Sequence, residues 1–334
     1  MTTKRIGFAC ILSEIHPTKG IVSIPECNLS TTTIAWLGRQ SKEVAVQKLW
    51  GLLQHNMSAM YNLVNRVAQF EPSLRMVRIG SGVLPVYTHP EWNWFWLQSD
   101  VIQYCEQHLS KIGAHARVHG VRLSMHPGQF CCLASESDQI VQNSIEEFEY
   151  HAKIAEWMGY GVTKSDFKIN VHIAGRRGVQ GIRDVHTKYL SQTARNCITL
   201  ENDEFSYGLE DCLSLADIIP TVLDIHHHYI KTGEYIEVSD DRIGMVMDSW
   251  GTVRPVVHFS TSPEDVLTNH SRHERPTLSA LLESGHTKSK LRAHSDYCWN
   301  DAINQWALSH LQWADIMVEA KAKNLASAAL FAQL

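Results

Sequence analysis

The sequence predicts an α/β fold: a single (β/α)8 barrel of the TIM type over residues 1–334, with a metal site at the C-terminal face of its strands. Three observations predict it. Short apolar runs of strand length recur along the chain, amphipathic stretches of helical period lie between most of them, and polar residues able to bind metal close the runs. A barrel of this kind gathers all its strand C-termini on one face, so residues far apart in sequence meet in one pocket.

Eight candidate strands follow in order: RIGFAC (5–10), RMVRIGS (75–81), VRLSMH (121–126), FKINVHIA (167–174), CITLEND (197–203), PTVLDIHH (220–227), PVVHFS (255–260) and ADIMVEAK (314–321). The stretches 43–70 and 138–158 carry apolar residues at helical spacing, which gives the strand-then-helix alternation of a parallel sheet covered by helices. A doubly wound open sheet is the rival arrangement. It usually carries a glycine-rich phosphate loop after its first strand, and residues 7–20 hold none. No Pro/Ser/Gly linker, low-complexity tract or repeat marks a boundary, so one continuous domain is expected.

Composition narrows the function. With 44% hydrophobic and 19% charged residues the chain is globular in character, and its net charge of −5 supplies no global basic field for nucleic acid. The unusual feature is 19 histidines, since imidazole is both a near-neutral proton carrier and the commonest nitrogen ligand of metals. The eight cysteines contain no C-x-x-C pair and read as reduced thiols. No run approaches the length of a membrane span and the N-terminus does not read as a signal peptide, so a cytoplasmic protein is expected.

The chemistry clusters at strand ends: His126, His172, Glu201, Asp224 with His226 to His228, His258 and Glu319. One such residue alone reads as a hydrogen-bonded cap, whereas six strands ending this way read as a ligand set. Imidazole with carboxylate and no thiolate pair disfavours structural zinc and suits Mn²⁺, Zn²⁺ or Fe²⁺ at an open catalytic centre. The candidates exceed the needs of one ion, so two or three divalent ions bridged by carboxylates are expected. Such ions stabilise both the attacking and the leaving oxygen of a phosphodiester displacement, and they add positive charge that the net −5 omits.

Six segments, SMHPGQF (124–130), LEND (200–203), LDIHH (223–227), VHFS (257–260), AHSDY (293–297) and MVEAK (317–321), occur in the order found in UV damage endonucleases, and RIGSGVLPVYTHP (78–90) is similar to that family's second-strand segment. The chain thus resembles this family over most of its length. The resemblance implies a barrel related to endonuclease IV, up to three divalent ions with manganese first and Zn²⁺ or Mg²⁺ as alternatives, and a nick immediately 5′ of pyrimidine dimers and other lesions in double-stranded DNA. It implies as metal ligands His89, His126, His172, Glu201, Asp224, His227, His258, His294 and Glu319, with Glu201 and Glu319 as the catalytic, bridging carboxylates. Gln129 and Phe130 stand where the family inserts a Gln-Tyr wedge into the duplex, and Phe8 stands where many relatives have Tyr. Val256 occupies the place of a lysine that serves some relatives as a further ligand, which puts a full three-metal site in doubt. The connections 228–250 and 261–292 are longer than compact relatives need and are expected on the C-terminal face, where they would shape the substrate groove.

Blander readings hold elsewhere. The run Trp92, Trp94, Phe95 and Trp96 is expected to pack a helix on the barrel rather than to stack a base, and Cys131-Cys132 reads as small buried thiols. Arg176 and Arg177, after His172, are either a solvated pair or a phosphate contact, and Arg176 is taken as a DNA-binding candidate. The histidines at 16, 55, 108, 115, 119, 151, 186, 270, 273, 286 and 310 lie away from strand ends and are read as non-ligands. Two rivals to the nuclease remain at this stage: a metal-dependent sugar isomerase or epimerase on the same scaffold, and a non-catalytic, damage-binding protein. A monomer with no membrane contact is expected.

Overall fold

The eight apolar runs supply the eight staves of a closed parallel barrel. The computed structural model describes residues 3–128, 130–267 and 270–334. Its strands are β1 (Ile6–Ala9), β2 (Ser13–His16), β3 (Gly20–Ser23), β4 (Met76–Ile79), β5 (Arg122–Met125), β6 (Lys168–His172), β7 (Ile198–Glu201), β8 (Thr221–Asp224), β9 (Val256–Phe259) and β10 (Asp315–Val318). The barrel runs β1-β4-β5-β6-β7-β8-β9-β10 and closes through the parallel β1–β10 pairing, while β2 and β3 form a separate antiparallel hairpin.

Alternation along these short strands decides what faces the barrel axis. Ladder neighbours His172 with Glu201, Asp224 with His258, and Met317 with His258 stand side by side at the C-terminal end. At the opposite end the barrel is stitched by Asp315, fully buried, which accepts from the Arg5 backbone N–H at 2.9 Å, from Arg122 Nη1 at 2.8 Å and from Arg254 Nε at 2.8 Å. Between the two ends, Ala9, Met76 and Met317 form a small apolar cluster against which Val256 packs.

The two predicted helices are Lys42–Ala68 and Asp138–Trp157, each begun by a serine, Ser41 or Ser137, whose hydroxyl accepts from a backbone N–H of the first turn. Helix 42–68 buries Leu49, Leu52, Leu53, Met57, Met60, Val64 and Val67, the three- and four-residue spacing of a face packed on a sheet. Phe95 and Trp96 are fully buried, as packing requires, while Trp94 lies under Lys42 Nζ at 4.6 Å from the ring centre. Phe8 is buried within the same core.

One expectation needs correcting. Residues 228–250 are not a long C-terminal-face loop: they hold most of the helix Ile225–Thr232 and all of the helix Asp241–Trp250. The second is a barrel-covering return helix, for Trp250 Nε1 donates to Thr221 O, the first residue of β8, at 2.7 Å. The segment 261–292 does follow a strand C-terminus and holds the short helices Leu278–Glu283 and Lys288–Leu291. Among the described residues, three non-glycine residues adopt positive φ, Cys10, Val86 and Lys323, and all lie on loops that leave strand C-termini. Strain of this kind collects where a fold holds functional loops.

Candidate metal centre

Glu201 ends β7 at the middle of the barrel mouth, 1% exposed. His258 Nδ1 lies 2.9 Å from its Oε1, while His126 Nε2 and His172 Nε2 approach Oε2 to 3.5 and 3.6 Å. The Asn170 amide, two residues before His172 on β6, donates to Oε2, and its own oxygen accepts from Thr199 Oγ1 at 2.9 Å. His126 turns its Nδ1 to the Pro127 carbonyl at 2.8 Å, which leaves Nε2 facing the carboxylate.

Among the described residues, two groups bring ligand atoms within 4.8 Å of one another: His126, His172 and Glu201, and Glu201, Asp224 and His258. Glu201 belongs to both. This is the geometry a carboxylate needs to bridge two cations, and the oxygen and imidazole donors fit divalent ions.

Asp224 strengthens the fit. Its Oδ1 accepts from the His227 backbone N–H at 2.7 Å and so caps the helix that begins at Ile225, the bland role for such a residue. Its Oδ2 is buried without a hydrogen-bond partner. A buried, unpartnered carboxylate oxygen is costly to keep, and a cation there would remove the cost.

The other sequence candidates are placed less centrally. His227 Nδ1 lies 3.6 Å from Asp224 Oδ2 and 3.8 Å from Glu201 Oε1, and its Nε2 lies 3.7 Å from Glu204 Oε2, so within the 226–228 run it is His227 that faces the barrel-mouth carboxylates, while His228 Nε2 lies 3.2 Å from Glu234 Oε2. His226 is buried and turned aside, with its ring 6.5 Å from that of His294. Glu319, one residue past β10, lies 3.3 Å from His258 Nδ1 and is paired with Arg78 on β4. His89 sits half-buried on the loop after β4, where its Nδ1 accepts from the Glu91 N–H at 3.3 Å. His89, His227, His294 and Glu319 stand outside the two tight groups.

Around the pocket, Phe130 on the loop after β5 is 83% exposed, while its neighbour Gln129 lies outside the described residues. Arg176 on the loop after β6 is exposed and 3.5 Å from Glu136 Oε2. Sequence reasoning missed Arg78, Asn170 and Glu204. Asn170 is legible as the inward residue two before His172, and Glu204 directly follows the LEND segment.

Electrostatics agree with a site short of positive charge. Burial opposes ionisation of Glu201, but the imidazoles of His258 and His172 and hydrogen bonds from His126 and His258 hold its carboxyl well below the usual range. Burial likewise opposes the Glu319 charge and is outweighed by Arg78 and His258. Asp224 is pushed up to about 7, by burial first and then by the Glu201 and Glu319 charges, against the pull of His227. Burial lowers His227, yet Asp224, Glu201, Glu204 and Glu319 together raise it to about 9. The two upward shifts have different causes, burial for Asp224 and surrounding carboxylates for His227, and both favour protons that a metal ion would displace.

Comparison with known proteins accords with this geometry. A family model described as UV-endonuclease UvdE matches residues 4–334. The chain belongs to that family. The UV DNA damage endonuclease of Bacillus cereus strain B4264 is 28% identical over 313 residues, covering 90% of this chain and 87% of the relative. That of Bacillus mycoides strain KBAB4 is 27% identical over 323 residues, covering 93% and 89%. A crystal structure described as SacUVDE superposes with a TM-score of 0.71 at 22% identity, covering 99% of this chain and 96% of that one, which establishes the shared barrel fold. Membership in UvdE makes the chain a DNA endonuclease by class and sets aside the sugar isomerase reading of the same ligand types. Among the described residues no helix is long and apolar enough to cross a membrane.

Proposed function

We propose that this UvdE-family protein is a DNA repair endonuclease that cuts the phosphodiester bond 5′ of UV photoproducts, chiefly pyrimidine dimers, and of abasic or other distorting lesions. It would act as a monomer, in the cytoplasm, on damaged double-stranded DNA. The observation that carries the reading is Glu201, a buried carboxylate shared by two sets of metal-competent donors at the mouth of the barrel.

His126, His172, Glu201, Asp224 and His258 would hold the ions, with His227 and Glu319 at the edge of the set and His89 and His294 as outer candidates. Divalent ions at such a site, two or three with Mn²⁺ expected first and Zn²⁺ or Mg²⁺ compatible, supply Lewis acidity and lower the pKa of water. The rest of the task falls to the protein. Asn170 and the three histidines fix the Glu201 carboxylate in one orientation and keep it ionised. Arg78 does the same for Glu319 and adds a permanent positive charge beside the pocket. Phe130, exposed on its loop, offers a ring that can enter the stack where a lesion has weakened it, with Gln129 beside it. Distorted, poorly stacked DNA is easier to open, which allows one pocket to accept several lesions. Arg176, exposed on the loop after β6, would contact a backbone phosphate. Val256, packed against the apolar Ala9, Met76 and Met317, supplies no donor beneath His258, so two ions suit the residues better than three.

The test is a supercoiled plasmid irradiated with UV and incubated with the protein and Mn²⁺. Relaxation is expected that depends on irradiation and disappears with EDTA. Absence of such relaxation rejects the nuclease, and retention of irradiated plasmid without nicking under every divalent ion would establish the non-catalytic binder instead.

A further inference from the structure

The segment after β9 ends in the run Lys288, Ser289, Lys290, Leu291, Arg292, directly before the His294 loop. We propose that Lys288, Lys290 and Arg292, together with Lys231, form a phosphate-binding arm that grips the DNA backbone at the barrel mouth, beside the loop after β7. The inference rests on the endonuclease reading above and names the surface by which that enzyme would hold its substrate.

Topology places the arm. The segment follows β9 and packs against the loop after β7 and the helix Ile225–Thr232, where Arg292 contacts Glu204 and Lys288 contacts the Lys231 carbonyl, so the arm lies beside the metal-competent cluster.

Packing makes the arm rigid. Leu291 is fully buried in a satellite core with Tyr229, Ile230, Val266, Leu278 and Leu281. Thr287 Oγ1 accepts from the Lys290 N–H at 3.3 Å. The cations flanking Leu291 are thus presented from an ordered backbone, which spares the cost of ordering a loop on binding.

Charge makes the patch a candidate for an anion. Lys231 Nζ donates to Phe205 O at 3.0 Å and Lys288 Nζ to Lys231 O at 2.9 Å, contacts with carbonyls that leave both charges uncancelled. Lys290 lies 3.8 Å from Asp265 Oδ2, and Arg292 Nη1 lies 2.6 Å from Glu204 Oε1. The four cations therefore outnumber the two carboxylates they contact. A positive excess in a chain of net charge −5 suits a polyanion.

Arg292 brings the arm to the reaction. Its guanidinium lies 5.0 Å from the centre of the half-exposed Phe205 ring and donates through Nη1 to Glu204, which leaves its remaining N–H groups to meet a phosphate. The Glu204 that it contacts faces His227, so a phosphate held there lies beside the metal-competent cluster.

The experiment measures binding by fluorescence anisotropy, with EDTA present to prevent cleavage, for a lesion-bearing duplex and its intact counterpart over a series of KCl concentrations. In the triple variant Lys288→Ala, Lys290→Ala, Arg292→Ala the slope of log affinity against log salt should fall by about three, about one per phosphate contact. Affinity for damaged and intact duplex should fall by the same factor, leaving the preference unchanged. Lys290→Ala alone, at an exposed position, should lower the slope by about one, and Lys153→Ala on a distant helix should not alter it. A triple variant that keeps the wild-type slope overturns the arm while the endonuclease reading stands. A wild-type protein that binds no DNA overturns both.

Discussion

Glu201 shows how a single carboxylate is kept charged where burial opposes it. Three imidazoles and one amide converge on its two oxygens, and the amide is itself oriented by Thr199, so the side chain has one position and one protonation state. Groups that orient a ligand without touching the ion typically affect metal affinity 10–100-fold. Asn170→Ala should therefore weaken Mn²⁺ binding by about that factor, read by titration calorimetry, with the far-UV circular dichroism unchanged; Thr199→Val should have a smaller effect in the same direction. Wild-type affinity in Asn170→Ala would mean that the imidazoles alone position the carboxylate. At this scale His126, His172, Glu201, Asp224 and His258 were legible because each closes an apolar run. Arg78 was not, since an arginine within a strand reads as solvent-facing until ring closure turns that face inward onto Glu319.

Among the elements, the eight strands were visible as apolar runs, but the observed ladders are four or five residues long because the chain leaves the sheet where the polar ligands begin. The β2–β3 hairpin was not visible. Most of its residues are exposed or only partly buried, so no apolar pattern records it, although Gly20 at φ +72° marks its turn. The helices give a paired prediction about glycine. Gly113 lies on the buried face of helix Ser99–Val118, where a Cβ would come within 1.9 Å of the Met158 carbonyl oxygen. Gly51 lies on an exposed face of helix 42–68 with nothing within 4 Å of such an atom. Gly113→Ala should destabilise by about 1–3 kcal/mol, since the steric conflict with fixed backbone exceeds the gain in helix propensity. Gly51→Ala should stabilise by up to ~1 kcal/mol. Urea unfolding of the two variants checks both signs, and a shared sign would refute the packing argument.

For the whole molecule, two small groups of histidines have opposite pH behaviour: His227 and His258, among the barrel-mouth carboxylates, are raised, whereas His151 and His310, fully buried, are lowered by burial to about 4. The sign for the second group follows from proton counting. Between about pH 6.5 and 4 the unfolded chain takes up a proton on each of these residues that the folded chain refuses, so stability rises with pH across that window and is lost on acidification. The gap from the ordinary 6.5 to about 4 corresponds to roughly 3 kcal/mol for each residue, a large share of the stability of an ordinary domain. His310 stands edge-on to the rings of Trp306 and Trp313, a site that a phenyl ring of similar shape can fill. His310→Phe should leave the urea midpoint at pH 7.5 close to wild type and make unfolding between pH 6.5 and 4 less pH-dependent by about one proton, or ~1.4 kcal/mol per pH unit. If the variant keeps the wild-type pH dependence, His310 takes up its proton in the folded state and contributes nothing to acid sensitivity.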